Sequence, residues 1–175
     1  MYRKSLREQT FKLLFRIEFN SSEEMTEQEE LFFNNDDITF SEKDRTEIEK
    51  KYADVIKNLP AIDKELSEVA KDWDLDRIGK VELTILRLGV YEVEYDDSIP
   101  EGVAVNEAVE LAKKFGQDAA PAFVNAVLSR FTIEGKERAA GSAADGKTKK
   151  TGESVHEEKS KSRDGANIYI VKTPQ

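Results

Sequence analysis

Apolar residues recur at intervals of three and four through most of this chain, and this spacing predicts α-helices rather than strands. The stripe that opens the chain consists of Leu6, Thr10, Leu13, Leu14 and Ile17. A longer stripe runs from Ile48 to Leu59 and follows a helix-start signal, Ser41-Glu-Lys-Asp. An alternation with period two is not sustained anywhere outside short ambiguous runs, which argues against a sheet protein.

One segment, residues 78–93, is apolar on nearly every side of the helix it would form. A helix of that kind belongs in the centre of a core. Its β-branched residues also allow a strand, but about 18 residues without a turn signal favour a helix. The remaining signals are a capping box at Ser21, which begins a helix over about 22–34, and Pro121, which suits the first turn of a last helix. Pro60 is expected to interrupt the long helix before it.

These segments predict an all-α fold of about six or seven helices around a central buried helix. Residues 1–133 hold nearly all the large apolar side chains and form the domain. Residues 134–175 are small, polar and charged, and cannot bury enough surface to offset the entropy of ordering them. We therefore expect 134–175 to be a disordered, charged, low-complexity tail, in which Ile168–Val171 is more simply read as a stray apolar run than as a docking segment.

The residues that are missing exclude most enzyme classes. The sequence has no Cys and a single His, His156, which lies in the tail. A disulfide framework, a thiolate zinc site and most histidine-based catalysis are therefore excluded, and the absence of Cys fits a reducing cytoplasm. Neither a phosphate loop nor a dinucleotide fingerprint is present. We expect no enzyme, cofactor or metal site, and no membrane span, because no run of about 18 apolar residues exists.

Charge is distributed unevenly along the chain. The formal net charge is −9, yet residues 1–16 carry five basic residues against Glu8 alone. On a helical wheel Lys4, Arg7, Phe11 and Phe15 share a flank roughly opposite the centre of the first stripe, with Lys12 and Arg16 further round. Cations hold phosphates and aromatic rings stack on unpaired bases, so this flank could bind RNA. The spacing fits equally well with two additional core rings and ordinary solvated cations.

Four blocks of sequence resemble one family, the NusB family of transcription antitermination factors. The most specific block is Val103-Ala-Val-Asn-Glu-Ala-Val-Glu-Leu-Ala-Lys-Lys-Phe-Gly, followed by Phe123-Val-Asn-Ala-Val-Leu. Arg7-Glu-Gln-Thr-Phe-Lys-Leu-Leu-Phe and Glu82-Leu-Thr-Ile-Leu-Arg-Leu-Gly-Val-Tyr-Glu agree as well. The resemblance spans about residues 3–131 in the expected order, and the tail has no counterpart in it.

This resemblance implies an all-α fold of two small helical subdomains and no catalysis. It implies binding of boxA-type RNA in ribosomal RNA leader transcripts together with NusE, a small-subunit ribosomal protein. The pair would act on the elongating RNA polymerase with other Nus factors and suppress termination. The resemblance leaves open whether the free protein forms a homodimer. The alternative function is a helical protein–protein adaptor that does not touch RNA itself.

Site residues follow from the resemblance position by position. The implied RNA-binding residues are Arg3, Lys4, Arg7, Lys12, Phe15 and Arg87. The implied partner-binding residues are Glu82, Asp118 and Phe123. Phe15 stands where the family usually has Tyr, which keeps a ring and removes a hydroxyl. Ala119 stands where the family often has an acidic residue, and Asp118 precedes it.

Several of these residues also have structural interpretations. Arg87 lies on the apolar central helix, where a charged side chain must pair or reach the surface, so an internal ion pair and a functional role are equally supported. Asn106 and Asn125 are expected to brace helices or to bond backbone within the core. Trp73 and Tyr91 are expected in the core rather than at a base-binding surface.

Overall fold

Seven α-helices make up the part of the chain that the structure, a computed structural model, describes: residues 1–35, 38–70 and 77–145. The helices are α1 (Arg3–Phe15), α2 (Met25–Phe33), α3 (Glu42–Val69), α4 (Lys80–Glu94), α5 (Glu101–Phe115), α6 (Ala120–Leu128) and α7 (Ile133–Asp145). A short 3-10 turn, Arg16–Glu18, follows α1. The all-α prediction is therefore confirmed. Trp73 lies outside the described residues.

Helix α4 is the centre of the fold. It packs against α1 and α3 on one side and against α5 and α6 on the other, so the N-terminal and C-terminal helices form two halves that meet on α4. Its fully buried side chains include Ile85, Leu86 and Val90, and the strand interpretation of this segment is wrong. Gly89 lets α6 approach closely, because a Cβ at this position would lie 2.5 Å from Leu128 Cδ1.

Both predicted caps form, but only one of them lies at a helix start. At α3 the Asp44 N–H donates to the N-cap Ser41 Oγ at 3.1 Å. The Ser21 N–H donates to Glu24 Oε2 at 2.7 Å, and the Glu24 N–H donates to Ser21 Oγ at 3.4 Å, which together form the reciprocal pair of a capping box. This pair closes the turn before α2, which begins at Met25 rather than near residue 22, and whose N-cap Glu24 has no side-chain cap.

Pro60 does not end a helix, contrary to the expectation. Helix α3 continues through it from Glu42 to Val69. Pro60 itself is exposed, whereas Val55 before it and Ile62 and Leu66 after it are buried on one stripe. The cost of an interior proline, about 3 kcal/mol, is offset because both halves of the helix pack on the same core.

The stretch that follows the expected domain is not disordered from its first residue. Helix α7 covers Ile133–Asp145, so the first part of the expected tail is helical. Its alanines favour a helix, and the side chains of Glu101 and Glu94 hold its start: Glu101 Oε2 accepts from the Ile133 N–H at 3.1 Å, and Lys136 Nζ lies 2.5 Å from Glu94 Oε1. Residues 146–175, for which disorder is expected, lie outside the described residues.

Candidate nucleic-acid interface

The exposed cations of the first helix lie where its first turn reaches the surface. Arg3 and Lys4 are exposed and border a cleft of about 580 Å³, which Lys50 of α3 and Pro100 of the loop before α5 also line. Lys113, and more weakly Lys4, lowers the pKa of the Glu110 carboxyl on α5. Lys4 is therefore close to the outer surface of α5 as well as to the cleft.

Four phenylalanine rings form a continuous row from α5 along α1. The centroid of Phe11 lies 5.0 Å from that of Phe115 and 6.0 Å from that of Phe15, and Phe15 lies 5.1 Å from Phe19. Phe115 is half-buried, and from Phe11 onwards exposure increases, from 3% at Phe11 to 61% at Phe19. Of the two interpretations left open for these rings, Phe11 follows the core one, because α5 covers this side of α1. Phe15 is half-buried, so part of its surface is open to solvent.

Two lysines, one on α1 and one on α5, lie beside the row of phenylalanine rings. Lys12 Nζ lies 5.9 Å and Lys114 Nζ 5.3 Å from the centroid of Phe115. Both also contact Glu8, at 3.0 Å and 2.7 Å between nitrogen and carboxylate oxygen. Burial alone would raise the pKa of Glu8, but the hydrogen bonds from Lys114 and Lys12 outweigh it and lower the pKa. Glu8 is therefore ionised at neutral pH and holds both lysines.

The far end of the row carries one more lysine. Lys80 Nζ lies 4.4 Å from the centroid of Phe19 and donates to the backbone oxygen of Glu18 at 2.7 Å. We define the cation–aromatic strip as the surface formed by Arg3, Lys4, Lys12, Phe15, Phe19, Lys80, Lys114 and Phe115. Phe19 was visible in the sequence, since it continues the i, i+4 spacing of Phe11 and Phe15. Lys80, Lys114 and Phe115 belong to other helices, and only the tertiary structure brings them to this surface.

Arg7 does not lie on this exposed surface, and its expected place on an open flank is wrong. Its side chain is buried, and its Nε donates to both Glu92 carboxylate oxygens, at 3.1 Å and 2.8 Å. Glu107 Oε2 lies 3.3 Å from an Arg7 terminal nitrogen. Lys51 Nζ contacts Glu92 at 2.9 Å and Asp96 at 3.2 Å. These five residues form the buried ion cluster, which joins α1, α3, α4, α5 and the loop after α4.

Arg87 is held in an internal ion pair, the first of the two interpretations left open. Its Nε and one terminal nitrogen donate to the two oxygens of Asp63 at 2.8 Å and 2.9 Å, and its other terminal nitrogen bonds Glu18. Burial alone would lower the pKa of the guanidinium, but Asp63 and Glu18 together raise it. The three nitrogens therefore face protein carboxylates, and α4 is tied to α3 and to the turn after α1.

Two of the three implied partner residues lie around the α5–α6 connection. Glu82, in the first turn of α4, packs against Gly116: a Cβ added there would lie 3.1 Å from Glu82 Oε1. Asp118 is exposed in the same connection, and Phe123 is half-buried against the core. Because Phe115 directly precedes Gly116, this patch adjoins the cation–aromatic strip.

Asn125 does not lie within the core, contrary to the expectation, and Asn106 lies at the same surface. Both are exposed and line a cleft of about 330 Å³ between α5, α6 and α7, together with Arg138. Helix periodicity does not predict this cleft, because the burial of each asparagine depends on where α6 and α7 pack. Tyr91 is buried, as expected, and its hydroxyl lies 3.4 Å from Asp54 Oδ2.

Neither a metal site nor a membrane span is found in residues 1–35, 38–70 and 77–145. No group of three or more His, Cys, Asp or Glu side chains there could hold a metal ion. Among the same residues, no helix is both long enough and apolar enough to cross a bilayer. His156 lies outside the described residues.

Comparison with known sequences identifies relatives over the same part of the chain. The family profile described as the NusB family matches residues 4–132. A transcription antitermination protein NusB from Agathobacter rectalis is 44% identical over 132 residues, which is 75% of this chain and 99% of that protein. The NusB protein of Clostridium novyi is 43% identical over 131 residues, or 75% of this chain and 98% of its own length.

Solved structures with this fold point to the same family. NusB from T. maritima superposes with a TM-score of 0.66 at 30% identity and covers 80% of this chain and 98% of its own. A crystal structure of antitermination factors NusB and NusE in complex with dsRNA gives a TM-score of 0.62 at 27% identity, covering 74% of this chain and 95% of that chain. The described helices thus match a structure of NusB and a structure of NusB and NusE with dsRNA.

Proposed function

This chain belongs to the NusB family, and from that premise we propose that it is a non-enzymatic transcription antitermination factor. It binds boxA-type RNA of ribosomal RNA leader transcripts in the cytoplasm, together with the ribosomal protein NusE. The pair then acts on the elongating RNA polymerase with other Nus factors. The observation that carries the proposal is the family match over residues 4–132, supported by a related NusB–NusE pair crystallised with dsRNA.

The cation–aromatic strip supplies the RNA contacts in this proposal. Arg3, Lys4 and Lys12 hold phosphates, and Phe15 offers a ring to a base. Arg7 and Arg87, which the family resemblance also places at the RNA, act by fixing α1 and α4 beneath the strip, because carboxylates hold their guanidinium groups. Lys114 and Phe115 add a cation and a ring from α5.

An acidic protein can hold RNA here because charge acts locally. At physiological salt the Debye length is about 8 Å, and a helix with its side chains is about 10–12 Å across. Carboxylates on the far side of the domain are therefore largely screened from phosphates on the strip. A few phosphate contacts give modest, salt-sensitive affinity, so the complex needs surface from a second protein.

NusE supplies that surface at the patch formed by Glu82, Asp118 and Phe123. The patch adjoins the strip through Phe115 and Gly116, so RNA can contact both proteins at once. Its two carboxylates suit a basic ribosomal protein, and Phe123 provides the apolar contact. Asp118 fulfils the acidic role that Ala119 cannot.

An electrophoretic mobility shift assay tests this function. We expect labelled single-stranded boxA RNA to shift weakly with the protein alone and much more tightly when NusE is added, because the two proteins then share the RNA. The control is the same RNA with NusE alone. If the protein binds NusE but neither retards RNA nor increases its retardation by NusE, the chain is instead an adaptor that contacts only protein.

Glu8 is expected to weaken RNA binding, because it draws Lys12 and Lys114 away from phosphates. The variant Glu8→Gln should bind single-stranded RNA about threefold more tightly, with a steeper dependence on salt concentration. Fluorescence anisotropy across a salt titration measures both quantities. Glu134→Gln, which removes an exposed carboxylate on α7 that pairs with Arg138 four residues on, is the matched control. An unchanged salt slope for Glu8→Gln would show that these lysines do not meet phosphate.

A further inference from the structure

Phe19 is an exposed ring that the protein holds in a defined position. Its side chain is 61% exposed, yet its N–H donates to the Arg16 oxygen at 3.1 Å, which fixes the backbone at the end of the 3-10 turn. Its ring meets Phe15 edge to face, at 5.1 Å between centroids and 75° between planes. A ring anchored at its backbone and along one edge presents its remaining surface to solvent.

Lys80, which belongs to a different part of the fold, places its ammonium beside the Phe19 ring. It is the first residue of α4, and its Nζ lies 4.4 Å from the Phe19 centroid. The bond from Nζ to the Glu18 oxygen, at 2.7 Å, keeps the ammonium beside the ring. The side chain of Lys80 is otherwise exposed, so it can move a short distance without disturbing the core.

We propose that Phe19 and Lys80 form a binding site for one unpaired nucleotide, with the base stacked on the ring and the ammonium on the phosphate of that nucleotide. This inference rests on the proposed function, because it assigns a further contact to the same RNA. It concerns two residues outside the set that the family resemblance implies. Phe19 is then a specificity-determining residue, because it sets the position at which the RNA must be single-stranded.

The chemistry of the site favours a nucleotide over an apolar protein side chain. An apolar group would have to displace the ammonium from the ring and would offer it no anion in exchange. A nucleotide brings a flat aromatic base for the ring and an anion for the displaced lysine. Stacking a base on an aromatic ring is worth more than an exposed cation–π contact, so the exchange is favourable.

The geometry also requires that the base be unpaired. In a duplex both faces of each base are covered by neighbouring bases, and only a base turned out of the stack can cover an aromatic side chain. The planes of Phe15 and Phe19 differ by 75°, so bases stacked on the two rings could not stack on each other. Adjacent nucleotides bound by these rings would therefore be splayed apart at this end of the strip.

The variant Phe19→Ala tests the site in the complete chain with NusE present. We expect its affinity for labelled single-stranded boxA RNA, measured by fluorescence anisotropy, to fall about tenfold. Phe19→Trp should keep the affinity, because it keeps a ring. Ile133→Ala is the matched control, since Ile133 is 65% exposed and begins α7, beside Glu101 at the opposite end of α5 from Phe115. Circular dichroism should be the same for all three variants.

A series of RNAs with one abasic nucleotide each separates direct stacking from an indirect effect. If Phe19 holds a base, Phe19→Ala should weaken every RNA in the series except the one that lacks that base, where the substitution costs nothing further. A uniform loss across the whole series would overturn the proposal, because it would mean that the ring acts only through the fold.

Lys80→Gln provides the second arm. It should reduce the slope of log affinity against log salt by about 0.7, the value for one phosphate contact of a single strand. Unchanged affinity in Phe19→Ala together with an unchanged slope in Lys80→Gln would overturn the nucleotide site. In that case, loss of RNA binding on substitution of Arg3, Lys4 and Lys12 by Ala would still support the proposed RNA-binding function. Absence of RNA binding by the unmodified protein with NusE would overturn both.

Discussion

Replacing Glu92 by Ala is expected to lower the free energy of unfolding by about 3–5 kcal/mol. Glu92 is 1% exposed and receives Arg7 from α1 and Lys51 from α3. Removing it leaves two cations in the buried ion cluster with only Glu107 and Asp96 at its edge. An uncompensated buried charge costs far more than the net contribution of the intact pair. Urea denaturation followed by circular dichroism measures the change.

Two further variants show whether burial is the cause. Glu47→Ala removes a carboxylate that lies 3.9 Å from Lys43 on the exposed side of α3, and should change stability by no more than about 0.5 kcal/mol. The double variant Arg7→Met with Glu92→Met should be more stable than either single variant, since both charges are then gone. Equal losses from Glu92→Ala and Glu47→Ala would show that the cluster is solvated like the surface.

The triple variant Arg3→Ala, Lys4→Ala and Lys12→Ala is expected to bind single-stranded boxA RNA about a hundredfold more weakly at 0.1 M salt. The slope of log affinity against log salt should fall by about two, because three phosphate contacts are lost. The three side chains are at least partly exposed, and the contacts that are removed, such as the pair of Lys12 with Glu8 and its cation–π contact with Phe115, lie at the surface. The fold should therefore survive, which thermal unfolding can verify.

A matched triple variant controls for net charge. The variant with Lys57→Ala, Lys64→Ala and Arg138→Ala removes three exposed cations, two from α3 and one from α7. It should leave RNA affinity within about twofold of the unmodified protein, since charges beyond a Debye length are largely screened. If both triple variants lost affinity equally, RNA would be attracted by overall charge, and the strip would not be the binding surface.

The buried ion cluster and the strip are connected, because Arg7 and Lys12 belong to the same helix. Arg7 anchors α1 to α3, α4 and α5 through the cluster, while Lys12 and Phe15 lie further along α1 at the surface. We therefore expect a variant at Arg7 to change RNA binding by moving the helix, although Arg7 does not itself form the surface.

The sequence by itself determined the helical class, the central position of α4 and the start of α3. These features depend on local signals: the periodicity of apolar residues, the serine cap and the apolar residues on every side of one segment. The family was recognisable for the same reason, since its blocks are contiguous. Local signals misjudged Pro60, because packing of Val55, Ile62 and Leu66 on one core outweighs the broken hydrogen bond.

Only the tertiary structure decided which residues of the first helix meet solvent. A helical wheel assumes one covered side, but α1 lies against α3 and α4 and touches α5 through Phe11 and Phe115. Covering that second side buries Arg7 and Phe11, and it brings Lys114 to Glu8 across 106 residues of sequence. Contacts at that separation depend on how helices pack, and no spacing within one helix encodes them.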